Sequence, residues 1–221
     1  MAGITENPPE VISWGRFQET LTSTAPADPL APLADADPEV RVAALRQLAA
    51  GGKAEEAILV RVARMLKDEQ AMVRAAAIDC LSALAPRDPR VVNACVKGLQ
   101  EEQRIIQFAA QQALTHAGPA AVPLLVNIAK DGRKSVRVAT LIAVLGIGDP
   151  AVPALVKSLA EQDERGRQAI CELLAMFNAR GKPALPALEM LLQDSAPGVK
   201  KAATAAIRQI EGGAPAPAPE T

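Results

Sequence analysis

Between residues 38 and 210 the apolar positions of this chain follow a helical rhythm that restarts at regular intervals. The stretches PEVRVAALRQL, AMVRAAAIDCL, RIIQFAAQQAL, KSVRVATLIAV, ERGRQAICELL and PGVKKAATAAI align on anchors at Val40, Val73, Ile106, Val136, Gly166 and Val199, spaced 33, 33, 30, 30 and 33 residues apart. Three positions after each anchor stands an alanine: Ala43, Ala76, Ala109, Ala139, Ala169 and Ala202. At 100° per residue, positions 0, 3, 4, 7, 8 and 11 share one side of a helix, which predicts a buried stripe. Small residues on that stripe let a neighbouring helix come close.

A second helical pattern precedes five of the anchors, in AEEAILVRVARMLKD, DPRVVNACVKGLQEE, GPAAVPLLVNIAKDG, DPAVPALVKSLAEQD and GKPALPALEMLLQDS. Asp88 and Asp149 read as start signals, because an aspartate side chain accepts from the free amides of a first turn. Pro123, Pro153 and Pro186 each stand thirteen residues ahead of an anchor, early enough in a helix for proline to fit. Each unit is therefore a helix pair. One pair alone cannot bury its stripe, so the units must stack, and the expected fold is all-α: an α-solenoid, or superhelix, of about six helix pairs. The expected organisation is residues 1–34 as an N-terminal segment with a short amphipathic helix and an incomplete first repeat helix, 35–211 as the solenoid, and 212–221 as a Pro/Ala-rich solvated tail.

Composition narrows the partners. With 49% apolar and 22% charged residues and a net charge of -1, the chain can bury a substantial core and has no bias toward a polyanion or an anionic membrane. The expectation is therefore a protein or peptide partner, no nucleic acid and no membrane, with the oligomeric state left open. Aromatics are 2%, without tyrosine, so Trp14, Phe17, Phe108 and Phe177 are the only bulky anchors. Three cysteines at 80, 95 and 171 form no CxxC pair and no secretory signal is seen, which points to a reducing, cytoplasmic setting.

These repeats resemble the HEAT family, in particular the short bacterial HEAT-like repeats first named from phycobilisome (PBS) bilin lyases. The resemblance covers about residues 35 to 211. Its most specific element is an acidic residue six positions before a basic one: Asp35 and Arg41, Asp68 and Arg74, Asp131 and Arg137, Glu161 and Arg167, Asp194 and Lys200. The third unit departs, with Glu101 and Gln107. The resemblance implies that these side chains form a structural ladder linking successive repeats.

It also raises the question of catalysis. His116 is the only histidine and falls in the last turn of a helix, where a cation suits the helix dipole. A HEAT-like iron hydroxylase acting on deoxyhypusine would be expected to show several His-Glu pairs, and this chain has none. HEAT-like DNA glycosylases would call for a basic, aromatic concave face. Phase places Cys80 and Cys95 in the core, and Cys171, five positions after its anchor, away from it. No Gly-rich phosphate loop, GxSxG elbow or metal-spaced cluster appears, so neither a metal nor a cofactor is expected.

Positions 2, 5, 6 and 9 after each anchor lie opposite the stripe and should line the concave surface. Only the fourth unit is apolar at all four: Val138, Leu141, Ile142 and Leu145. The third contributes Phe108, Gln111 and Gln112, the second Ile78, and the fifth Cys171. A contiguous exposed apolar strip of this kind marks an interaction site. The amphipathic stretch EVISWGRFQETL, with Trp14 and Phe17, is a second candidate: it either binds a partner or folds back and caps the strip. The expected function is a non-catalytic protein-binding scaffold or adaptor. A bilin lyase-like or chromophore-handling protein is the alternative that the repeat subtype implies, and a nucleic-acid-processing HEAT-like protein is a third.

Overall fold

A computed structural model describes residues 28–130 and 133–212 of the protein, and no strand occurs among them. A short 3-10 turn, Ala31–Ala34, leads into α1 (Pro38–Gly51), and helix pairs follow: α2 (Glu56–Arg64) with α3 (Ala71–Leu84), and α4 (Pro89–Gly98) with α5 (Arg104–Ala117). Next come α6 (Val122–Ala129) with α7 (Lys134–Ile147), α8 (Ala151–Ser158) with α9 (Glu164–Ala175), and α10 (Leu185–Leu191) with α11 (Pro197–Ile210). The N-terminal stretch with Trp14 and Phe17, Asp131, and residues 213–221 of the tail lie outside the described residues.

Local chemistry sets the helix ends. Asp37, Asp88 and Asp163 accept at 2.8 Å from the amides of Glu39, Arg90 and Gly166, filling donors that a first turn leaves without partners. Asp149, expected to cap α8, pairs instead with Arg180 at 3.2 Å. Glycine ends α1, α5 and α7, where Gly52, Gly118 and Gly148 take φ of 68°, 68° and 79°, a conformation that a Cβ disfavours.

The odd-numbered helices form one layer and the even-numbered helices the other. Val73, Ile106, Val136 and Val199 are buried, as are Ala109, Ala139 and Ala169, so the stripe from α3 to α11 faces the core as its period requires. Helix α1 is rolled: Val40 is exposed while Val42 and Leu45 are buried. In α3 the stripe is buried too, but so are Ala75, Ile78 and Ser82 from the side expected to be concave. The cause is lateral packing. Helix α3 lies tightly between α1 and α5, so burial wraps around its flanks.

This lateral stack is interrupted once. Helices α1, α3, α5 and α7 pack in succession, and α9 packs on α11, but α7 and α9 lack the close packing of the other consecutive pairs. Helix α9 rests on α6 and α8 instead.

Candidate functional site

Where α7 and α9 part, a cleft of ≈ 480 Å³ opens, lined by Ala129, Lys134, Arg137, Val138, Leu141, Ala169, Glu172, Leu173 and Met176. Val138 is 46% exposed and Met176 38%. They stand on α7 and the residue ending α9. Ala169 and Leu173 are buried within α9. Arg137 donates to Glu172 at 2.9 Å, tying the two helices across the gap. Both side chains are more than half exposed, so water screens the pair and it contributes little to holding the helices together. The lining carries three charged side chains and no hydroxyl, thiol or imidazole. Such a surface is suited to binding an apolar group between charges.

The single groove expected from the sequence is divided. Val138 and Leu141 line this cleft. Phe108, 61% exposed, lines a different hollow of ≈ 150 Å³ with Val42, Leu45, Met72 and Ile105, between α1, α3 and α5. Ile142 is 49% exposed, Leu145, Gln111 and Gln112 are half-buried or exposed, and none of the four lines either hollow.

Cys171 requires a correction. It is fully buried, not a groove residue, on a helix that packs closely against α11. Burial, with the nearby charges of Glu172 and Asp194, pushes its thiol up to about 12. Burial likewise raises Cys80 to about 11 and Cys95 to about 12.

Phase alone missed Met72 and Ile105, and Leu173 with Met176; Glu172, six positions after its anchor and so concave by phase, does line the cleft. Met72 and Ile105 carried a legible signal. They stand one position before their anchors, where the other units have Glu39, Ser135, Arg165 and Gly198. Leu173 carried none, since seven positions after its anchor it belongs to the stripe in an unbroken stack, and Met176, ten positions after, belongs to neither the stripe nor the concave set.

The acid–base pairs of the repeat connect in a specific way. Arg41 grips the Asp68 carboxylate through Nε and Nη2, both at 2.9 Å, and its Nη1 donates to the carbonyls of Asp35 and Ala36. Arg167 grips Asp194 in the same manner, at 2.7 and 3.0 Å. Arg74 reaches Glu101 at 3.2 Å and donates to the Asp68 carbonyl. Arg41 and Arg74 therefore touch the acidic residue of their own unit through its carbonyl and the acid of the next unit through the carboxylate, whereas Arg167 holds Asp194 of the next unit and donates to the Gln162 carbonyl at 3.0 Å. Asp68 and Asp194 also accept from the amides of Gln70 and Ala196, both at 2.9 Å. Burial opposes ionisation of Asp68, yet Arg41 and the Gln70 amide hold its carboxyl below the ordinary value. Arg167 and the Ala196 amide do the same for Asp194.

Gln107 preserves half of the pattern, donating to the Glu101 carbonyl at 2.7 Å. The rung expected at Glu161 is absent. Arg137 turns to Glu172 instead, and Glu161 is exposed, because the parting of α7 and α9 removes the acid from below the arginine. Lys200 is exposed and acts on Asp194 only through its charge. Among the described residues no three of His, Cys, Asp and Glu gather as a metal would need, and no helix is long and apolar enough to cross a membrane.

The family model described as HEAT repeats matches residues 27–115 and 118–211. No protein of curated function matches the chain. Similar solved structures include the complex of CpcE and CpcF of phycocyanin lyase from Nostoc sp. PCC7120, at 19% identity over 95% of this chain and 82% of that one, with a TM-score of 0.46. Computationally designed armadillo repeat proteins for modular peptide recognition are similar at 22% identity over 82% and 98%, TM-score 0.39. Human deoxyhypusine hydroxylase is similar at 18% identity over 83% of each chain, TM-score 0.36.

Proposed function

The chain belongs to the HEAT-repeat family, and we propose that it works as a non-catalytic scaffold that grips a protein partner in the cleft between α7 and α9. One observation carries this reading: a stack that packs its helices tightly elsewhere leaves Val138, Leu141 and Met176 facing an open cleft. Apolar side chains left beside a hollow of this size are stabilised by a partner that removes them from water, at about 25 cal/mol per Å². Lys134 and Arg137 on one wall and Glu172 on the other favour a partner segment that carries charges of both signs around an apolar centre.

A photo-crosslinking side chain at position 138, introduced in the native cell, tests the reading. The expected result is capture of a discrete protein partner, lost when Leu141→Asp is added. The same label at Met190, which is 78% exposed on α10, should not capture that partner. Equal capture from both positions, or capture indifferent to Leu141→Asp, would overturn the proposal.

A further inference from the structure

The second hollow lies nearest the beginning of the solenoid and has a different set of walls. Met72, Ile105 and Phe108 are 57%, 47% and 61% exposed, around a floor that includes the buried Val42 and Leu45. Three large apolar side chains on one face are more than the scattered single exposures of an ordinary surface. At ≈ 150 Å³ the hollow is about the size that takes one aromatic ring.

The chain supplies a matching occupant. In EVISWGRFQETL, residues 10–21, Val11, Trp14 and Leu21 recur on one helical face with Phe17 at its edge. Twelve residues of helix span about 18 Å, and the two interaxial steps from α1 to α5 span about 16 to 20 Å. Residues 22–27 connect this stretch to Asp28 and reach about 20 Å when extended. The 3-10 turn Ala31–Ala34 lies against α1, so the tether need only clear the width of one helix, about 10 to 12 Å. Asp79 in the lining offers a carboxylate oxygen to the indole N–H, the kind of partner a buried tryptophan requires.

We propose that residues 10–21 dock as a helix across α1, α3 and α5, with Trp14 in the hollow and Phe17 against Phe108. The segment then covers the first half of the concave face and leaves the α7–α9 cleft free. The solenoid thus carries one apolar surface reserved for its own chain and one for a partner.

Trp14 is the only tryptophan and there is no tyrosine, so indole fluorescence of the full chain reports this residue alone. The expected emission is blue-shifted from that of a synthetic peptide of residues 8–23, with acrylamide quenching several-fold weaker. Ile105→Asp with Phe108→Asp should return both readings to the peptide values while the far-ultraviolet circular dichroism stays unchanged. Phe17→Asp lies outside the solenoid, so it tests the contact without touching the core, and it should also shift the emission to the red. Ile142→Asp should change nothing. Peptide-like emission in the wild-type chain would overturn the proposal. So would a blue shift indifferent to Ile105→Asp and Phe108→Asp, or one that vanishes on dilution and so reports a second copy. None of these outcomes bears on the α7–α9 cleft, which the crosslinking experiment tests separately.

Discussion

Helix α7 allows one sharp comparison, because Val144 and Ile142 stand two residues apart on opposite sides of it. Val144 is fully buried and Ile142 is 49% exposed. Val144→Ala removes two methyl groups from the core, a transfer loss of about 1.6 kcal/mol at about 0.8 per carbon. An unrelaxed void of about 50 Å³ adds about 1 kcal/mol at about 24 cal/mol per Å³. Ile142→Ala removes three carbons, about 2.4 kcal/mol if fully buried, and about half of that at this exposure. Alanine's better helix propensity returns about 0.4 kcal/mol at position 142 and about 0.6 kcal/mol at position 144, leaving under about 1 and about 2 kcal/mol. The smaller truncation should therefore be the more damaging one, by about 1 kcal/mol. For a chain of this size that is a melting difference of about 2 to 4 °C. Circular dichroism melts and urea titrations of the two variants measure it. If Ile142→Ala costs as much as Val144→Ala, the apolar strip on α7 is covered in the protein and Ile142 does not stand on an open side of the helix.

Two further outcomes follow from the burial of charges and thiols. All three cysteines are buried with raised pKa values, so a disulfide-exchange reagent should titrate essentially no thiol in the native protein at neutral pH and three in denaturant; a fast-reacting native Cys171 would contradict its placement. Asp68 and Asp194 are held below the ordinary carboxylate value, so the native state binds fewer protons than the unfolded chain in the acid range. Their stabilisation is full above the unfolded value and drains as pH falls through the lower folded values. Urea unfolding of Asp68→Asn with Asp194→Asn should show lower stability than wild type at neutral pH and a shallower loss on going to about pH 3; parallel wild-type and variant profiles would refute that linkage.

Docking surfaces in a helical stack are decided by what lies beside each helix as well as by its own pattern. Position 5 after the anchor illustrates this: Leu45, Ile78 and Cys171 are buried there, Gln111 and Leu141 are half-buried, and Thr204 is exposed. The residues differ because the neighbours differ. Helices α3 and α9 are pressed by close partners on a flank, whereas α7 faces the gap. In the same way Arg41, Arg74 and Arg167 find the acid of the next unit where stacking is tight, and Arg137 crosses to Glu172 where it is not.

The amino-acid order by itself determined the repeat, the helix pairs, the capping aspartate at 88, and the stripe that from α3 onward faces the core, while the caps at Asp37 and Asp163 and the turning of Asp149 to Arg180 came from the structure. The former are local properties. They depend on a 3.6-residue period and on side chains reaching amides two or three positions away. Tertiary structure alone decided that α1 is rolled, that α7 and α9 part, and that the single expected groove is two hollows holding Val138 and Phe108 separately. A helical period assigns residues to faces, but the distance and angle between helices assign faces to neighbours. Those depend on the summed packing of many side chains from different units, which no single stretch of sequence contains.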